Sequence, residues 1–283
     1  PLTGLDNETT YYIQKELRDF KLAGVDKDEA TRKKIRSLRE ELVKVGQEFD
    51  RNIRDDVRTI EVKPADLAGM PKDFVDSHKP NDKGMVTLNT TYPDYVPTMN
   101  YAVNDDVRKR LYVEYQNRAY PKNMDVLKHM MDLRYQIAVA SGFTNWADYI
   151  TANKMVGSAK NVRDFIDKIV AASGPAQTRE YEQLLNRKKK DFPTATAITF
   201  WENNYWSELV KRSDYNFDSQ SIRPYLPYDE VEAGILNVAS TLFGVTFKPD
   251  PKATVWHPSV KCFEVMQGGV VTGRIYLDMH PRP

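Results

Sequence analysis

The sequence predicts a mainly α protein with a small β-hairpin or sheet near its C-terminus. Through the first two thirds of the chain, apolar residues recur at intervals of three and four, the spacing of a helix face. The last segment is instead rich in β-branched residues that flank a pair of glycines. The 283 residues are 41% hydrophobic and 29% charged, which supports a sizeable core and disfavours a disordered chain.

The opening 57 residues show the clearest helical pattern. Asn7 to Leu22 predicts one helix, with Gly24 as its C-cap. A second helix, from about Asp28 to Val57, carries an apolar stripe of Ile35, Leu38, Leu42, Val45, Phe49, Ile53 and Val57. We favour a hairpin of these two helices, about residues 6–57, over an intermolecular coiled coil, because the stripe is short for a sustained coiled coil. Leu42 and Phe49 are then expected to be buried between the two helices.

The middle of the chain alternates loops and helices. Val86 to Leu88 predicts a short strand, and the Pro/aromatic segment from Tyr92 to Tyr101 is expected to be extended at its pre-proline positions, because residues before prolines disfavour the helical region. Further helices are predicted over residues 105–117, 123–140, 145–152, 158–172, 175–191, 200–212 and 227–243. Pro175 is expected to open a new helix, at a position where the missing N–H costs nothing.

The tail predicts a β-hairpin. Val260 to Met266 and Val270 to Leu277 are strand-like and are separated by Gln267-Gly268-Gly269. We therefore divide the chain into a helical part, residues 1–255, and a hairpin part, residues 256–283.

Composition excludes several classes of function. Lys and Arg number 41 against 40 Asp and Glu, a net charge of +1, whereas a nucleic-acid binder usually has a basic excess. No run approaches the roughly 20 apolar residues of a membrane helix, so neither nucleic acid nor membrane is an expected partner. The single cysteine, Cys262, excludes an intrachain disulfide and favours a reducing compartment.

The sequence lacks the common catalytic motifs. No two of the four histidines are spaced four apart, so the zinc motif H-E-x-x-H is absent. Cys262 with His257 or His280 could form a thiol–imidazole pair, but its place in a predicted strand favours a core role. The basic run Arg187 to Lys190 is interpreted as a helix C-terminus. From its residues and motifs alone, the sequence predicts that this chain has no active site of its own.

The order of short motifs nevertheless resembles one family. These motifs are IQKELRDFKLAGV (13–25), DLAGMPKD (66–73), SGFTNWADY (141–149), FWE (200–202), YLP (225–227), LFGV (242–245), WHP (256–258) and YLDMHPR (276–282). Together they resemble the thimet oligopeptidase/neurolysin family of zinc metallopeptidases, which includes oligopeptidase A and dipeptidyl carboxypeptidase. Trp206 and His280 stand where that family usually has Tyr.

The resemblance implies a neurolysin-like helical lobe beside a channel that admits short peptides. It also implies that the zinc of the full-length enzyme is held by a catalytic segment that follows this portion. This chain would supply channel wall, with Tyr276, Asp278, His280 and Arg282 as candidate substrate-channel residues. The expected partners are short peptides and the missing catalytic segment, with possible self-association through an exposed strand edge, and the expected compartment is the cytoplasm.

Two alternatives stay open. The first alternative is a naturally non-catalytic binding or regulatory module on the same fold, and the second is one chain of a two-chain peptidase. The abrupt termini, Pro1 without an initiator Met and Pro283 after a strand, make a trimmed portion of a peptidase the favoured interpretation.

Overall fold

The computed structural model describes residues 4–280, which form a mainly helical protein with two small antiparallel sheets. Its α-helices are α1 (Asn7–Leu22), α2 (Glu29–Asp55), α3 (Lys72–Ser77), α4 (Tyr92–Tyr101), α5 (Asp105–Gln116), α6 (Asn123–Ala140), α7 (Trp146–Thr151), α8 (Ala159–Asp191), α9 (Asn203–Asp214) and α10 (Tyr228–Phe243). Two 3₁₀ helices span Pro64–Leu67 and Ser219–Tyr225. The strands are β1 (Thr59–Val62), β2 (Val86–Asn89), β3 (Thr246–Pro249), β4 (Lys261–Gln267) and β5 (Val270–Leu277). The predicted fold class is confirmed.

The chain divides into two compact units, and neither is continuous in sequence. The first combines Pro1–Arg58 with Val113–Gln183, and the second combines Thr59–Tyr112 with Leu184–Pro283. These boundaries differ from the predicted division between residues 255 and 256, which stays a prediction.

The core of the first unit lies between α2 and α6. Helix α2 begins where the Asp28 carboxylate accepts a hydrogen bond from the Thr31 N–H at 2.9 Å, an N-cap that satisfies one free donor. The buried apolar residues of this core are Leu38, Val45, Met130, Leu133, Ile137, Ala138 and Tyr149. One polar contact lies among them, since the Asn52 amide donates to Asn123 Oδ1 at 2.8 Å. Because both amides are buried, a slipped helix register would leave them unpaired.

The prediction that the apolar stripe of α2 packs against α1 is wrong. Helix α2 packs chiefly against α6, and no residue of α1 is buried. Leu42 and Phe49 are half-buried and pack against the α2–α6 core. The stripe lies within residues 28–57, whereas its partner helix begins at residue 123, so the pairing depends on long-range contacts that local periodicity does not encode.

The core of the second unit surrounds the β1–β2 pair. The strands pair antiparallel with Ile60 opposite Leu88 and Val62 opposite Val86, and all four side chains are buried. This alternation is expected, because residues two apart share one face of a strand. The other buried apolar residues are Leu67, Met70, Phe74, Met99, Ala102, Val107 and Leu111.

The segment from Tyr92 to Tyr101 is helix α4, so the prediction of an extended segment is wrong. Pro93 falls in the first turn, where a helix needs no N–H from it. The Asp94 carboxylate, also in that turn, accepts the Asn89 N–H at 2.9 Å and so holds the helix start against the end of β2. Burial of Thr98 and Met99 offsets the hydrogen bond lost at Pro97.

The prediction of two helices over residues 158–191 is also wrong, because α8 runs without a break through Pro175. A proline inside a helix removes one hydrogen bond and crowds the carbonyl four residues earlier, which costs about 3 kcal/mol. Ala171, four residues earlier, has a small side chain, and residues 171–173 are exposed to solvent. The rule that proline disfavours a helix interior therefore describes an energetic cost at Pro175, and α8 forms despite this cost.

The C-terminal sheet has the strand order β3-β4-β5, and all pairs are antiparallel. The predicted hairpin is confirmed, with Gly268 and Gly269 at φ of +58° and +84°. Positive φ at both central residues is what a two-residue hairpin turn of type I′ requires. Strand β3 was not predicted, because four residues that include Lys and Pro carry little strand signal. Within residues 4–280, no helix combines the length and apolarity required to cross a lipid bilayer.

The α2–α6 core predicts a clear hierarchy of stability effects. Leu133 is 2% exposed, so we expect Leu133→Ala to lower the free energy of unfolding by roughly 2–5 kcal/mol in denaturant titrations. Leu17 on α1 is 51% exposed, and the same substitution there should cost less than about 0.5 kcal/mol. Equal losses for the two variants would contradict this assignment of the core.

Candidate functional site

Two of the predicted channel residues meet at Trp256, beside the end of β5. The Trp256 indole N–H donates to Asp278 Oδ2 at 2.9 Å. The rings of Trp256 and Tyr276 lie with their centroids 5.6 Å apart and their planes tilted by 36°. We call Trp256, Tyr276 and Asp278 the tryptophan group. It forms because residues 276 and 278 are two apart and so project to the same side of the strand.

The register of the hairpin fixes the position of Tyr276. Tyr276 is directly opposite Cys262 on β4, and the interaction with the Cys262 thiol raises the pKa of the Tyr276 hydroxyl. Cys262 itself is buried, in agreement with its interpretation as a core residue.

A second group of side chains joins α10 to β4 and includes His280. The Lys261 ammonium donates to both carboxylate oxygens of Glu232, at 2.8 and 3.0 Å. Lys261 Nζ also lies 5.4 Å from the centroid of the Tyr228 ring, and the His280 ring lies 5.1 Å from that ring. We call Tyr228, Glu232, Lys261 and His280 the lysine group.

The contacts within the lysine group stabilise the ionised forms of Glu232 and Lys261. Hydrogen bonds from Lys261, and then from Tyr228, lower the pKa of Glu232. The reciprocal hydrogen bond raises the pKa of Lys261, and the bond to Glu232 raises the pKa of Tyr228. All three shifts favour an ionised Glu232–Lys261 pair with a protonated Tyr228 at neutral pH.

The two groups lie on opposite faces of the sheet. Tyr276 pairs with Cys262, and Lys261 is the preceding residue of β4, so the side chains of Lys261 and Cys262 point to opposite faces. The structure thus brings Tyr276 and Asp278 together and places His280 with a different set of partners. Arg282, the fourth predicted residue, lies outside the described residues.

Sequence reasoning missed Trp256, Tyr228, Glu232 and Lys261 as site residues. One signal was available: Tyr228 and Glu232 are four residues apart on a predicted helix and so share a face. In the sequence, Trp256 stands out only as the first residue of the WHP motif. Its contact with Asp278 joins the loop before β4 to the residue after β5, and a single sequence does not give that pairing.

A cavity of about 890 Å³ reaches the lysine group through Tyr228. Its wall includes Pro71, Asp73, Ile222 and Arg223. The Arg223 guanidinium donates to both Asp73 oxygens, at 2.8 and 3.1 Å, and this contact lowers the pKa of Asp73 and raises the pKa of Arg223. The cavity is therefore lined by apolar groups, by this ion pair and by the polar side chains of Lys72, Ser219 and Gln220.

Comparison with known proteins decides the family. The family model described as "Peptidase family M3" matches residues 98–283, about two thirds of the chain. The chain belongs to peptidase family M3. Oligopeptidase A of Escherichia coli is 27% identical over 95% of this chain, and the thimet-like oligopeptidase of Dictyostelium discoideum is 26% identical over 98%. Saccharolysin of Saccharomyces cerevisiae is 25% identical over 98%. The chain spans only 42–43% of the length of these M3 relatives.

Each histidine of this M3 chain has its own neighbours. His78 Nε2 is 3.1 Å from Asp94, His129 Nε2 is 2.9 Å from Glu41, and His257 Nδ1 is 2.8 Å from the Ser259 hydroxyl. Across residues 4–280, no three side chains of His, Cys, Asp or Glu are grouped so that they could hold a metal ion. The described residues therefore do not fit a zinc site, and no hydrolytic step is assigned to them.

The Glu232–Lys261 pair predicts a pH dependence of stability. Because folding lowers the pKa of Glu232, the unfolded chain binds more protons in acid, so this pair contributes stability above the ordinary Glu value of 4.5 and loses it as the pH falls through the lower folded value. We expect Glu232→Gln to lower the unfolding free energy at pH 7 by no more than about 1 kcal/mol, the range of surface pairs.

This difference between wild type and Glu232→Gln should shrink as the pH falls below 4.5, when measured by urea unfolding at several pH values. Glu230→Gln, at an exposed position on the same helix, is the matched control and should leave the pH profile of the wild type unchanged. A constant difference at all pH values would show that the carboxylate charge of Glu232 does not contribute.

Proposed function

We propose that this chain is the non-catalytic portion of a zinc-dependent oligopeptidase of family M3, and that it forms part of the wall of a channel in which short peptides are hydrolysed. One observation carries the proposal. Almost the whole chain, 95–98%, aligns with proteins named as oligopeptidases, yet it spans about two fifths of their length and contains no H-E-x-x-H. The chemistry would then reside in a segment outside these 283 residues.

The edge of β5 is the part of this chain that we propose to face the peptide. In the described part of the chain, β5 pairs with β4 alone, and its residues from Val270 to Tyr276 are exposed. A strand with one free edge can accept an extended peptide as a further strand, because its backbone N–H and C=O groups then find partners. Tyr276, Asp278 and His280 would be channel residues at or just beyond the end of this strand, and Arg282, which lies outside the described residues, is proposed as a fourth channel residue.

The partners of the chain follow from the same proposal. Short peptides would be the substrates, the catalytic segment would be the covalent or non-covalent partner, and zinc would be held by that segment. The cytoplasm is proposed as the compartment, in keeping with the single cysteine.

Activity measurements test the proposal directly. We expect the 283-residue chain to leave a quenched fluorescent peptide intact, because it lacks the H-E-x-x-H helix. The parent polypeptide, with the catalytic segment restored, should cleave the same peptide and lose that activity on chelation.

Addition of the catalytic segment in trans distinguishes a portion of one enzyme from a chain of a two-chain enzyme. Recovery of cleavage in trans would favour two chains, and recovery only in cis would favour one. A parent that binds peptides but never cleaves them would overturn the peptidase proposal and favour the binding module. Chelator-sensitive cleavage by the purified 283-residue chain would contradict its non-catalytic role.

The exposed edge of β5 also predicts self-association of the isolated chain. Unpaired strand edges with apolar side chains tend to pair with another copy, and an edge lysine opposes such pairing. We expect light scattering to show a mass that rises with concentration, and a smaller rise for Val271→Lys. Val43→Lys, at an exposed position on α2, should behave as wild type. A constant monomeric mass would exclude this pairing.

A further inference from the structure

We propose that the outer face of α10 is a docking surface, and that its occupant is an apolar element of the parent polypeptide that lies outside these 283 residues. The inference rests on the proposed function, which makes this chain a portion of a longer peptidase. It goes beyond that function because it assigns a contact between the two portions to one face of one helix.

The first argument is the pattern of exposed apolar side chains on α10. Val231, Ile235, Val238 and Leu242 follow one another at intervals of four, three and four residues, so they share one face of the helix. We call these four residues the α10 stripe. Their side chains are between 38% and 72% exposed, and no residue of α10 is buried. A contiguous exposed apolar surface marks an interaction site, whereas single exposed apolar residues need no explanation.

The second argument is that another side of α10 is held by the C-terminal sheet. Glu232 lies about 100° around the helix from Val231 and is bound by Lys261 of β4 at 2.8 and 3.0 Å. Leu236, one turn after Glu232 on the same side, is half-buried, and α10 packs against β3. Rotation of α10 to bury its stripe against the sheet would break these contacts, so the stripe stays outward.

The third argument is the open space beside the α10 stripe. Gly234 lies three residues after Val231 and four before Val238, so it borders both. Apart from its neighbours on α10, a Cβ atom at position 234 would meet no atom of the described residues within 4 Å. Glycine destabilises a helix interior relative to alanine, and the described residues give no packing reason for it here. Close approach by an element from outside the chain would supply that reason.

Two other occupants fit this surface less well. A stable interface between two copies buries about 800 Å² on each partner, and four aliphatic side chains supply about half of that area. A lipid surface is disfavoured because α10 carries Asp229 and Glu230 but no Lys or Arg, whereas helices that lie on membranes are usually basic.

A further element of the same polypeptide fits best. Covalent linkage raises the effective concentration of such an element, so a surface too small for a stable dimer is sufficient. The chain spans only 42–43% of the length of its M3 relatives, so most of their length lies outside the part that they share with it.

Cysteine labelling in two polypeptides tests the proposal. Val238→Cys and Leu242→Cys report on the α10 stripe, and Asn237→Cys, at an exposed position away from the stripe, is the matched control. Each variant is made in the 283-residue chain and in the parent polypeptide, and both are labelled with a maleimide at low protein concentration. Peptide mass spectrometry measures each site separately, and the buried native Cys262 gives the rate of a covered thiol.

We expect the thiols at positions 238 and 242 to react readily in the 283-residue chain and about tenfold more slowly in the parent, because a covered thiol reacts only when its cover opens. The thiol at position 237 should react at the same rate in both polypeptides.

Four results would overturn the proposal. Fast labelling of the α10 stripe in both polypeptides would show that nothing covers it, and slow labelling in both would show that this chain covers it. Protection in the parent that disappears on dilution would assign the cover to a second copy. Equal protection at positions 237 and 238 would show that the contact is not confined to the stripe. Peptide cleavage is measured separately on the wild-type parent, so failure of this surface is distinguishable from failure of the proposed peptidase function.

Discussion

The candidate site depends on the register in which β4 pairs with β5. Cys262 is opposite Tyr276, and Lys261 is opposite Leu277. This register places Tyr276 of the tryptophan group and Lys261 of the lysine group on opposite faces of the sheet. A slip by one residue would move Tyr276 to the face of α10 and separate it from Trp256, because side chains alternate along a strand. The turn at Gly268-Gly269 and the irregularity between Val265 and Met266 define this register, since both fix how many residues each strand contributes.

Local sequence patterns predicted those elements whose formation is locally determined. The stripe of α6 and the two glycines of the hairpin turn are such cases, because helix periodicity and positive φ are properties of a few neighbouring residues. The patterns failed at Pro97 and Pro175. There, the rule that proline disfavours a helix states an energetic cost, and both α4 and α8 form despite that cost.

The site was predictable only in part, for a related reason. Tyr276 and Asp278 were identified because the resemblance placed them at the end of a strand, and their common face follows from the spacing of two. Trp256, in a loop, contacts Asp278, which is 22 residues away in the sequence. Glu232 and Lys261, which form an ion pair, are 29 residues apart in the sequence. These partners depend on how α10 and the loop before β4 meet the sheet, which requires the three-dimensional arrangement.

The charges of the site favour recognition over proton transfer. A group that transfers protons efficiently near neutral pH has a pKa close to 7. In the lysine group, the hydrogen bonds instead lower the pKa of Glu232 and raise those of Lys261 and Tyr228, so all three move away from neutrality. The pKa of the Tyr276 hydroxyl is raised as well, chiefly by its interaction with Cys262. Such groups hold fixed charges and fixed hydrogen bonds at physiological pH, which are the properties that orient a peptide. These fixed charges and hydrogen bonds are what the proposed role in positioning a peptide would require of these side chains.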